Sequence, residues 1–474
     1  MKQYRKTRAK RIKKVLAGLA SVAAVAAIAI SQGTLSRVDA QAPKYPIFEV
    51  DPTFPNLPNN WVTGHVASVA SDKHGNIWLL TRPNTVPEPN KSHAAPSVLE
   101  FDQNGKFLQS WGGPGTGYDW PDSEHGITVD YKDNVWITGS SPASASPTKR
   151  TDDMVVKFSS KGKFLLQIGG ISVSSGNLDT KSVHLATDVF VDPQTNEAFV
   201  SDGYGNRRLI VFDADTGAFK RMWGAFGNPV TDWQKIENGA PVASQGGGDT
   251  KKGGAAKQAG GEGITAARPT DITGPGPDYF GNQTNFGGPV HAVAISNDRM
   301  VYVADRANRR IQVFTPAGKY LTQVFINRAG ASGQTVARMA FSSDKAQQYM
   351  YVGDYGNSRI LVLDRKSLQV LYQFGQRSAK PGDFQGLHHI GVDTKGNIYT
   401  GEVAPGARAQ KFIFKGFSTT VPPNALTPAQ IDAQLRMPRA VTVDDDGEGY
   451  NYVAEINPAG GRLLWHALAM PTQK

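Results

Sequence analysis

The sequence contains no cysteine in its 474 residues, which excludes a disulfide framework and thiolate chemistry. Its N-terminal apolar segment, Val15–Ile30, has 16 residues, fewer than the ~20 that a membrane-spanning helix usually needs. A basic stretch, MKQYRKTRAKRIKK, precedes this segment, and Val38–Ala40 has the small residues of a cleavage site. We therefore predict that residues 1–40 are a signal peptide cleaved near Ala40. The mature protein would be secreted or periplasmic, without a membrane span. An uncleaved anchor is the alternative.

The mature chain also has little net charge. Residues 1–40 hold nine Lys or Arg and one Asp, a net charge of +8, whereas the whole chain carries +10, so about +2 remains after cleavage. Nucleic-acid-binding faces are strongly basic, and no arginine-rich stripe with stacking aromatics occurs here. The composition therefore argues against nucleic acid as a partner.

What the sequence does have is glycine, with 51 residues, and an internal repeat. Each copy has one residue that we call the slot, apolar residues two and four positions later, a turn, a strand ending in Asp or Glu, and a third strand near an Arg. HGITVDYKDNVWITG and HAVAISNDRMVYVADRANRRIQVF are two of the copies. The six slots are Ala67, His125, Thr187, His291, Ala337 and His388.

Four short alternating strands per copy, repeated six times, predict an all-β fold, a six-bladed β-propeller spanning residues 41–416. The segment YPIFEVDP near the mature N-terminus is expected to supply a missing outer strand and close the ring. Residues 417–474 are predicted to be a C-terminal extension that begins with a short helix at Leu426–Pro438, capped by Thr427. They fit the repeat frame once more, with Arg439 in the slot, so a seventh blade is the alternative. Residues 243–269, rich in Gly, Lys and Ala, are predicted to be a flexible surface loop.

Three slots hold histidines, His125, His291 and His388, and they fall on alternate repeats. Because the slot begins the innermost strand, which lines the channel of a propeller, three imidazoles separated by ~120° would meet on the axis. Three nitrogen donors with an open position favour Zn²⁺. The alternative is three polar side chains facing a watery channel. The adjacent His389 is predicted to face the other side of its strand, and the remaining histidines are predicted to serve packing or the surface.

The turn between the second and third strands reveals further candidates. In the segments DGYGNRR, DRANRR and DYGNSR, Tyr204, Arg306 and Tyr355 occupy one equivalent position at the channel rim. A phenol near a metal can act as a base, and a guanidinium can hold a carboxylate. Tyr204 and Arg306 are thus candidate catalytic residues, with exposed loop residues as the alternative. The recurrent arginines Arg208, Arg310 and Arg359 are expected to pair between blades.

The segments VADRANRRIQVF, VGDYGNSRILVL and VSDGYGNRRLIVF resemble NHL repeats. Together with HGITVD and LHHIGVDTKGNIYTGE, they make residues 45–416 similar to bacterial six-bladed NHL proteins related to peptidyl-α-hydroxyglycine α-amidating lyase. This resemblance implies zinc on His125, His291 and His388, and Tyr204 and Arg306 in the active site. It implies a carbon–nitrogen lyase that splits a carbinolamide into a peptide amide and glyoxylate. A structural Ca²⁺ is implied as well, with ligands that we do not assign.

Three positions depart from the lyase pattern. Thr63 stands where the family carries an arginine, although Arg82 from the following strand is retained. The family's MPHD is GLHH in this chain, so Gly386 replaces a methionine and His389 replaces an aspartate. Two functions therefore stay open. One is a zinc-dependent lyase, expected as a monomer, with a small-molecule or peptide substrate in the channel. The other is a non-catalytic periplasmic scaffold that binds a protein, peptide or glycan.

Overall fold

The structure is a computed structural model of the chain. It describes residues 44–231, 274–275, 285–328, 334–436, 440–441, 452–456 and 463–467. Contacts within the chain define two units, Met1–Tyr45 and Pro46–Lys474. The predicted signal peptide (1–40) and the predicted flexible loop (243–269) lie outside the described residues, so both stay predictions.

Six sheets form the predicted β-propeller, and we number them as blades 1 to 6 in chain order. Blade 1 contains β2 (His65–Ser71), β3 (Ile77–Arg82), β4 (Val98–Phe101) and β5 (Phe107–Trp111). Blade 2 contains β6 (Glu124–Val129), β7 (Asn134–Gly139), β8 (Asp152–Ser159) and β9 (Phe164–Ile171). Blade 3 contains β10 (Ala186–Asp192), β11 (Glu197–Asp202), β12 (Arg208–Asp213) and β13 (Phe219–Trp223).

The second half of the ring follows the same order, with additions at two outer edges. Blade 4 contains β14 (Gly274–Pro275) outside β15 (Val290–Ile295), β16 (Val301–Asp305), β17 (Arg310–Phe314) and β18 (Tyr320–Phe325). Blade 5 contains β19 (Val336–Phe341), β20 (Tyr349–Asp354), β21 (Arg359–Asp364) and β22 (Val370–Phe374). Blade 6 contains β23 (Leu387–Val392), β24 (Ile398–Glu402), β25 (Arg408–Ser418) and, as outer strand, β1 (Tyr45–Asp51). The N-terminal strand thus closes the ring as predicted.

The turns of the repeat are fixed by aspartates that begin them. Asp130 accepts hydrogen bonds at Oδ1 from the backbone N–H groups of Lys132 (2.8 Å) and Asn134 (2.9 Å). Its Oδ2 accepts the Nε1–H of Trp136 at 2.9 Å, so one carboxylate orders both the turn and the aromatic residue that follows. Asp72 with Trp78 and Asp393 with Tyr399 repeat this arrangement.

Apolar faces of neighbouring blades pack on each other around the ring. Between blades 1 and 2, Trp78 and Leu80 meet Ile127 and Ile137 in one buried cluster. The first strand of each blade contacts the first strand of the next, from β2 through β6, β10, β15, β19 and β23 back to β2. These six inner strands surround the axis, which explains why no blade could bury its apolar face alone.

Each inner strand carries a β-bulge at its slot. The antiparallel register skips Ala67, Thr187, His291, Ala337 and His388, and in blade 2 it skips His125 with Gly126. A bulge leaves its extra residue outside the ladder and re-aims the side chain. The bulges therefore turn the slot residues away from the regular alternation of the strand.

The C-terminal part adds one α-helix and a separate small sheet. Helix α1 (Pro428–Arg436) is the only α-helix in the described part of the chain. Thr427 Oγ1 accepts the Gln430 N–H at 3.2 Å, and Gln430 Oε1 accepts the Thr427 N–H at 2.8 Å, so the predicted cap is a reciprocal capping box. Three 3-10 turns occur at Pro83–Thr85, Asn90–His93 and Ala225–Gly227.

Strands β26 (Ala440–Val441), β27 (Tyr452–Ile456) and β28 (Leu463–Ala467) form a three-stranded sheet of their own. The ring is complete with six blades, so the alternative of a seventh is wrong; Arg439, its proposed slot, lies outside the described residues. Nowhere in the described part is there a helix with the length and hydropathy for crossing a membrane.

Candidate metal centre

The bulged slots of blades 2, 4 and 6 bring His125, His291 and His388 together on the axis. Their ring centroids are 4.9 Å (His125 to His291), 4.7 Å (His125 to His388) and 4.8 Å (His291 to His388) apart. One ring nitrogen from each lies within 4.8 Å of the other two, and the residues are at most 1% exposed. This near-equilateral cluster, which we call the histidine triad, could hold a metal ion.

Backbone carbonyls orient all three rings in the same way. The Nδ1 atoms of His125, His291 and His388 lie 2.8, 2.6 and 2.6 Å from carbonyl oxygens. Because a carbonyl only accepts, each Nδ1 carries the proton, and in the neutral ring Nε2 carries the electron pair that can bind a metal. The accepting carbonyls belong to Thr187, Ala337 and Ala67, respectively.

These acceptors are the slot residues of blades 3, 5 and 1. Every histidine slot therefore donates to the small-residue slot of the next blade, and the pattern repeats three times around the ring. A carbonyl hydrogen bond on the far ring nitrogen is the usual way in which proteins fix a metal-binding histidine. The donor set and its support therefore fit a metal site with three nitrogen ligands.

Tyr204 and Arg306 lie beside the triad, as the rim position predicted. Arg306 Nη1 donates to Tyr204 Oη at 3.0 Å, and Tyr204 Oη lies 3.4 Å from His125 Nε2. The buried guanidinium of Arg306 also stacks over the ring of Tyr355, with Cζ 4.4 Å from the centroid. A cation that donates to a phenol oxygen stabilises negative charge there. Tyr204 is thus placed to accept or donate a proton next to the triad.

The strand register identifies Arg82 as a second rim arginine. In blade 1, Val66 directly precedes the slot and pairs with Thr81. In blade 4, Val290 directly precedes the slot and pairs with Asp305. Arg82 therefore occupies the position in blade 1 that Arg306 occupies in blade 4. The Arg82 side chain is buried, and its Nε donates to the carbonyl oxygen of Glu124 at 2.7 Å. It thereby holds the backbone directly before His125.

A second polar layer, formed by the residues that follow three of the slots, was not predicted. Arg338 of blade 5 forms an ion pair with Asp188 of blade 3, between two blades that are not neighbours. Burial lowers the pKa of Arg338 to about 9, so it is still charged at pH 7. Asp188 Oδ2 also accepts the Val293 N–H of blade 4 at 3.3 Å. We call Asp188 and Arg338, together with the neutral His389, the charged layer.

His389 belongs to this layer and not to the triad. Its Nδ1 accepts the backbone N–H of Val69 in blade 1 at 3.3 Å. Burial, and then the nearby charge of Arg338, hold the pKa of His389 well below its usual range, so the ring is neutral. The contact supports the prediction that His389 faces away from the metal position.

Among the described residues, the triad is the only group of three or more His, Cys, Asp or Glu close enough to share an ion. The structural Ca²⁺ implied by the resemblance therefore has no acidic cluster in the described part, and it stays a prediction. The charged layer itself offers one carboxylate, and that carboxylate is paired with Arg338.

Two of the three departures from the lyase pattern, Gly386 and Thr63, fit their surroundings in this structure. Gly386 has φ +80°, and a Cβ there would lie 2.4 Å from the Ala404 oxygen and 2.8 Å from the Val403 oxygen. Thr63 is buried, and its Oγ1 donates to the Gly64 oxygen at 3.1 Å. A methionine at position 386 would clash with the backbone, so this chain has adapted to the smaller residue.

The histidines outside the repeat frame and the recurrent arginines were the remaining predictions for side chains. His74 is exposed (59% of its side chain), as expected for a residue outside the repeat frame. The recurrent arginines were expected to pair between blades, but Arg208 and Arg310 form ion pairs within their own blade, with Asp202 (2.8 Å) and Asp305 (2.7 Å). The pairs join neighbouring strands at the end of the ladder, which the repeat frame could not distinguish from contacts between blades. The side chain of His466 lies outside the described residues.

Comparisons with known proteins agree with this architecture, although no family model matches the sequence. Peptidyl-alpha-hydroxyglycine alpha-amidating lyase 1 from Drosophila melanogaster is 23% identical over 445 residues, which cover 87% of this chain and 67% of that protein. Peptidyl-glycine alpha-amidating monooxygenase B from Xenopus laevis is 27% identical over 194 residues, 37% of this chain and only 20% of that protein. NHL repeat-containing protein 3 from Mus musculus is 25% identical over 325 residues, 67% of this chain and 70% of that protein.

Two solved structures align at low identity. A Bacteroides thetaiotaomicron protein of unknown function gives a TM-score of 0.45 at 12% identity, covering 79% of this chain and 77% of that one. A catalytically inactive virginiamycin B lyase from Staphylococcus aureus with quinupristin gives a TM-score of 0.40 at 12% identity, covering 80% and 90%.

The fold and the site define a six-bladed β-propeller with a buried histidine cluster on its axis that could hold a metal. Its sequence relatives are amidating lyases and NHL repeat proteins. The chain is therefore a six-bladed β-propeller whose sequence is similar to NHL repeat proteins and to peptidyl-α-hydroxyglycine α-amidating lyase.

Proposed function

We propose that this protein is a zinc-dependent lyase that cleaves the carbon–nitrogen bond of α-hydroxyglycine-type carbinolamides. The observation that supports the proposal most is the buried triad, whose three Nδ1 atoms are all committed to backbone carbonyls, with the Tyr204 phenol 3.4 Å from His125 Nε2. The name of the Drosophila melanogaster relative, an alpha-amidating lyase, supports the same chemistry.

The proposed metal follows from the donor set. Among the described residues, the group contains three histidines and no fourth His, Cys, Asp or Glu. Three protein ligands are typical of catalytic zinc, which keeps one coordination position for substrate. Zinc bound there would act as a Lewis acid on a substrate oxygen. His125, His291 and His388 would hold it.

The remaining chemistry falls to Tyr204 and Arg306. In the proposed reaction, Tyr204 as the phenolate would accept the proton of the substrate hydroxyl, and the electron pair of that O–H bond would form the carbonyl of glyoxylate. The C–N bond would break with its electrons on the amide nitrogen, and Tyr204 would return the proton to that nitrogen, so that the peptide amide leaves and the phenolate is regenerated. Arg306, which donates to Tyr204 Oη at 3.0 Å, would stabilise negative charge on the phenol oxygen.

We further propose that the mature protein acts outside the cytoplasm, after cleavage near Ala40, as a monomer with a small-molecule or peptide substrate. The basic and apolar N-terminal segments support export. The substrate would approach from the rim, where Tyr204 and Arg306 lie.

The test combines metal analysis with product detection. The protein purified without chelator is expected to contain about one zinc ion and to release glyoxylate from a peptidyl-α-hydroxyglycine. His291→Ala should weaken metal binding by more than about 100-fold, because even losing a residue that only supports a ligand costs 10–100-fold. The exposed His74→Ala is the matched control and should retain full metal content. Parent protein without metal would end the proposal.

The second candidate is a non-catalytic scaffold, favoured by the backbone at Gly386, which has no room for the methionine of the lyase pattern. If the protein is a scaffold, a protein, peptide or glycan should copurify with it and should stay bound in the His125→Ala, His291→Ala double variant. Metal-loaded protein that releases no glyoxylate, together with such a partner, would decide for the scaffold.

A further inference from the structure

The rim of blade 3 contains an ion pair that the metal site does not use. His184, three residues before the Thr187 slot, lies with its Nδ1 2.6 Å from Asp153 Oδ1, and its side chain is 27% exposed. The buried Asp153 is itself fixed, because its Oδ2 accepts the Ser174 N–H at 3.0 Å. Burial alone would lower the pKa of His184, but the hydrogen bond and charge of Asp153 raise it above its ordinary value.

Hydrogen bonds connect this pair to the loop that carries Tyr204. The Tyr204 N–H donates to the Leu185 oxygen at 3.2 Å, and the Gly205 N–H donates to the His184 oxygen at 3.1 Å. The imidazole itself covers the loop, since a Cβ at Gly205 would lie 1.9 Å from His184 Cδ2. Both backbone and side chain of His184 therefore contact the residue next to Tyr204.

The backbone at Leu185 is strained, which is an independent sign that this segment is held in place. Leu185 has φ +57°, in the left-handed region that residues with a branched side chain rarely adopt. Such strain persists only where neighbouring contacts impose it, and it concentrates at functional sites. Here the strained residue presents the carbonyl that binds the Tyr204 N–H.

Blade 6 has the same arrangement of hydrogen bonds but no imidazole at this place. A glycine, and not a residue with a side chain, adopts the left-handed conformation there. The Gln385 N–H donates to Glu402 Oε2 at 2.6 Å, as the His184 N–H donates to Asp202 Oδ1 at 2.8 Å. The Gly406 N–H donates to the Gln385 oxygen at 3.0 Å, and Gly386 takes the place of Leu185. Only blade 3, which carries Tyr204, adds a histidine–carboxylate pair to this frame.

We propose that Asp153 and His184 position Tyr204: the ring of His184, anchored by Asp153, holds the loop so that the phenol lies beside the triad. His184 is a positioning residue in this proposal, because it acts through Gly205 and Leu185. The proposal depends on the proposed function only where it assigns a reaction to Tyr204.

Amide hydrogen exchange on the full chain as purified tests the positioning without any assay of activity. His184→Ala should speed exchange at Tyr204 and Gly205 about tenfold or more, since the loop would open locally more often. His184→Gln, which retains a donor for Asp153, should restore slow exchange. Gln385→Ala is the matched control and should affect only the rim of blade 6. Unchanged exchange at Tyr204 and Gly205 in His184→Ala would overturn the proposal.

Kinetics then separate a positioning role from general destabilisation. Where the parent releases glyoxylate, His184→Ala should lower kcat about 10-fold or more with little change in KM, because proton transfer is what misplacement would slow. In a Tyr204→Phe background, the same change should have no further effect. Additive losses would contradict positioning through Tyr204. A parent without activity would refute the lyase proposal alone, and the exchange result would still decide the role of His184.

Discussion

The even-numbered and odd-numbered blades place their polar channel residues at different heights. Blades 2, 4 and 6 carry histidine at the slot, whereas the slots of blades 1, 3 and 5 are Ala67, Thr187 and Ala337. One residue later the odd blades carry Ser68, Asp188 and Arg338, whereas two of the even blades have Gly126 and Ala292. All six slots lie in a β-bulge, which in blade 2 also includes Gly126, so the backbone is similar and the side chains differ.

This alternation shows how a sixfold repeat produces a site with threefold character. The even blades supply ring N–H donors, and the odd blades supply the carbonyls that accept them. The odd blades then provide the Asp188–Arg338 ion pair in the next layer. Each layer of the channel is therefore built mainly by every second blade, which leaves room for the neighbouring side chains.

Breaking the charged layer is expected to have the largest effect on stability. Arg338→Met removes the partner of the buried Asp188, and an unpaired buried charge costs about 3–5 kcal/mol. Urea unfolding should show this loss, and an Asp188→Asn, Arg338→Met double variant should recover at least half of it. A single variant as stable as the parent would mean that the pair contributes nothing across the channel.

Restoring the lyase-like methionine in blade 6 is expected to destabilise the fold by an intermediate amount. Gly386→Met forces a side chain onto a residue with φ +80° and against two carbonyl oxygens, which should cost about 1–3 kcal/mol. Gly391→Ala, on strand β23 that follows Gly386, has its nearest contact at 3.3 Å and should cost less. Thermal unfolding of both variants measures the difference. Equal stability would show that the loop of blade 6 relaxes freely.

The smallest effect on stability is expected from a change at Glu124, which is the only acidic residue directly before one of the six slots. Burial raises the pKa of Glu124 above its ordinary value of 4.5, despite hydrogen bonds from Trp120 and Ser97 and the charge of Arg82. The folded state therefore holds the proton more tightly than the unfolded state, and stability falls as the pH rises from 4.5 through the raised pKa.

Glu124→Gln removes this loss, so the variant should gain stability relative to the parent as the pH rises from 5 to 8. Denaturant titrations at the two pH values check the gain, with the exposed Glu49→Gln as control. A relative stability that does not change with pH would place Glu124 in a less buried setting than the structure shows.

The repeat frame predicted most of the fold and the first layer of the site. The six slots and the shared rim position of Tyr204 and Arg306 follow from the spacing of the repeat. The ring closure by YPIFEVDP and the capped helix were predicted from separate local signals. Regular spacing is informative because each copy must place equivalent residues at equivalent heights in the ring.

The charged layer and the Asp153–His184 pair could not be predicted in that way. The position after the slot holds Ser68, Gly126, Asp188, Ala292, Arg338 and His389, six different residue types, so no chemical signal repeats. Asp153 and His184 lie 31 residues apart on different blades. The Nδ1 partners are backbone carbonyls, which any sequence supplies, so only the geometry of the bulges shows where they point.

The alternation of histidine slots with small-residue slots also constrains the number of blades. Because the ring is closed, strict alternation is possible only with an even number of blades. Adding or deleting one blade would place two histidine slots, or two small-residue slots, next to each other, whereas blades gained or lost in pairs would preserve the order. Along the axis, the repeating unit of this propeller is therefore a pair of blades.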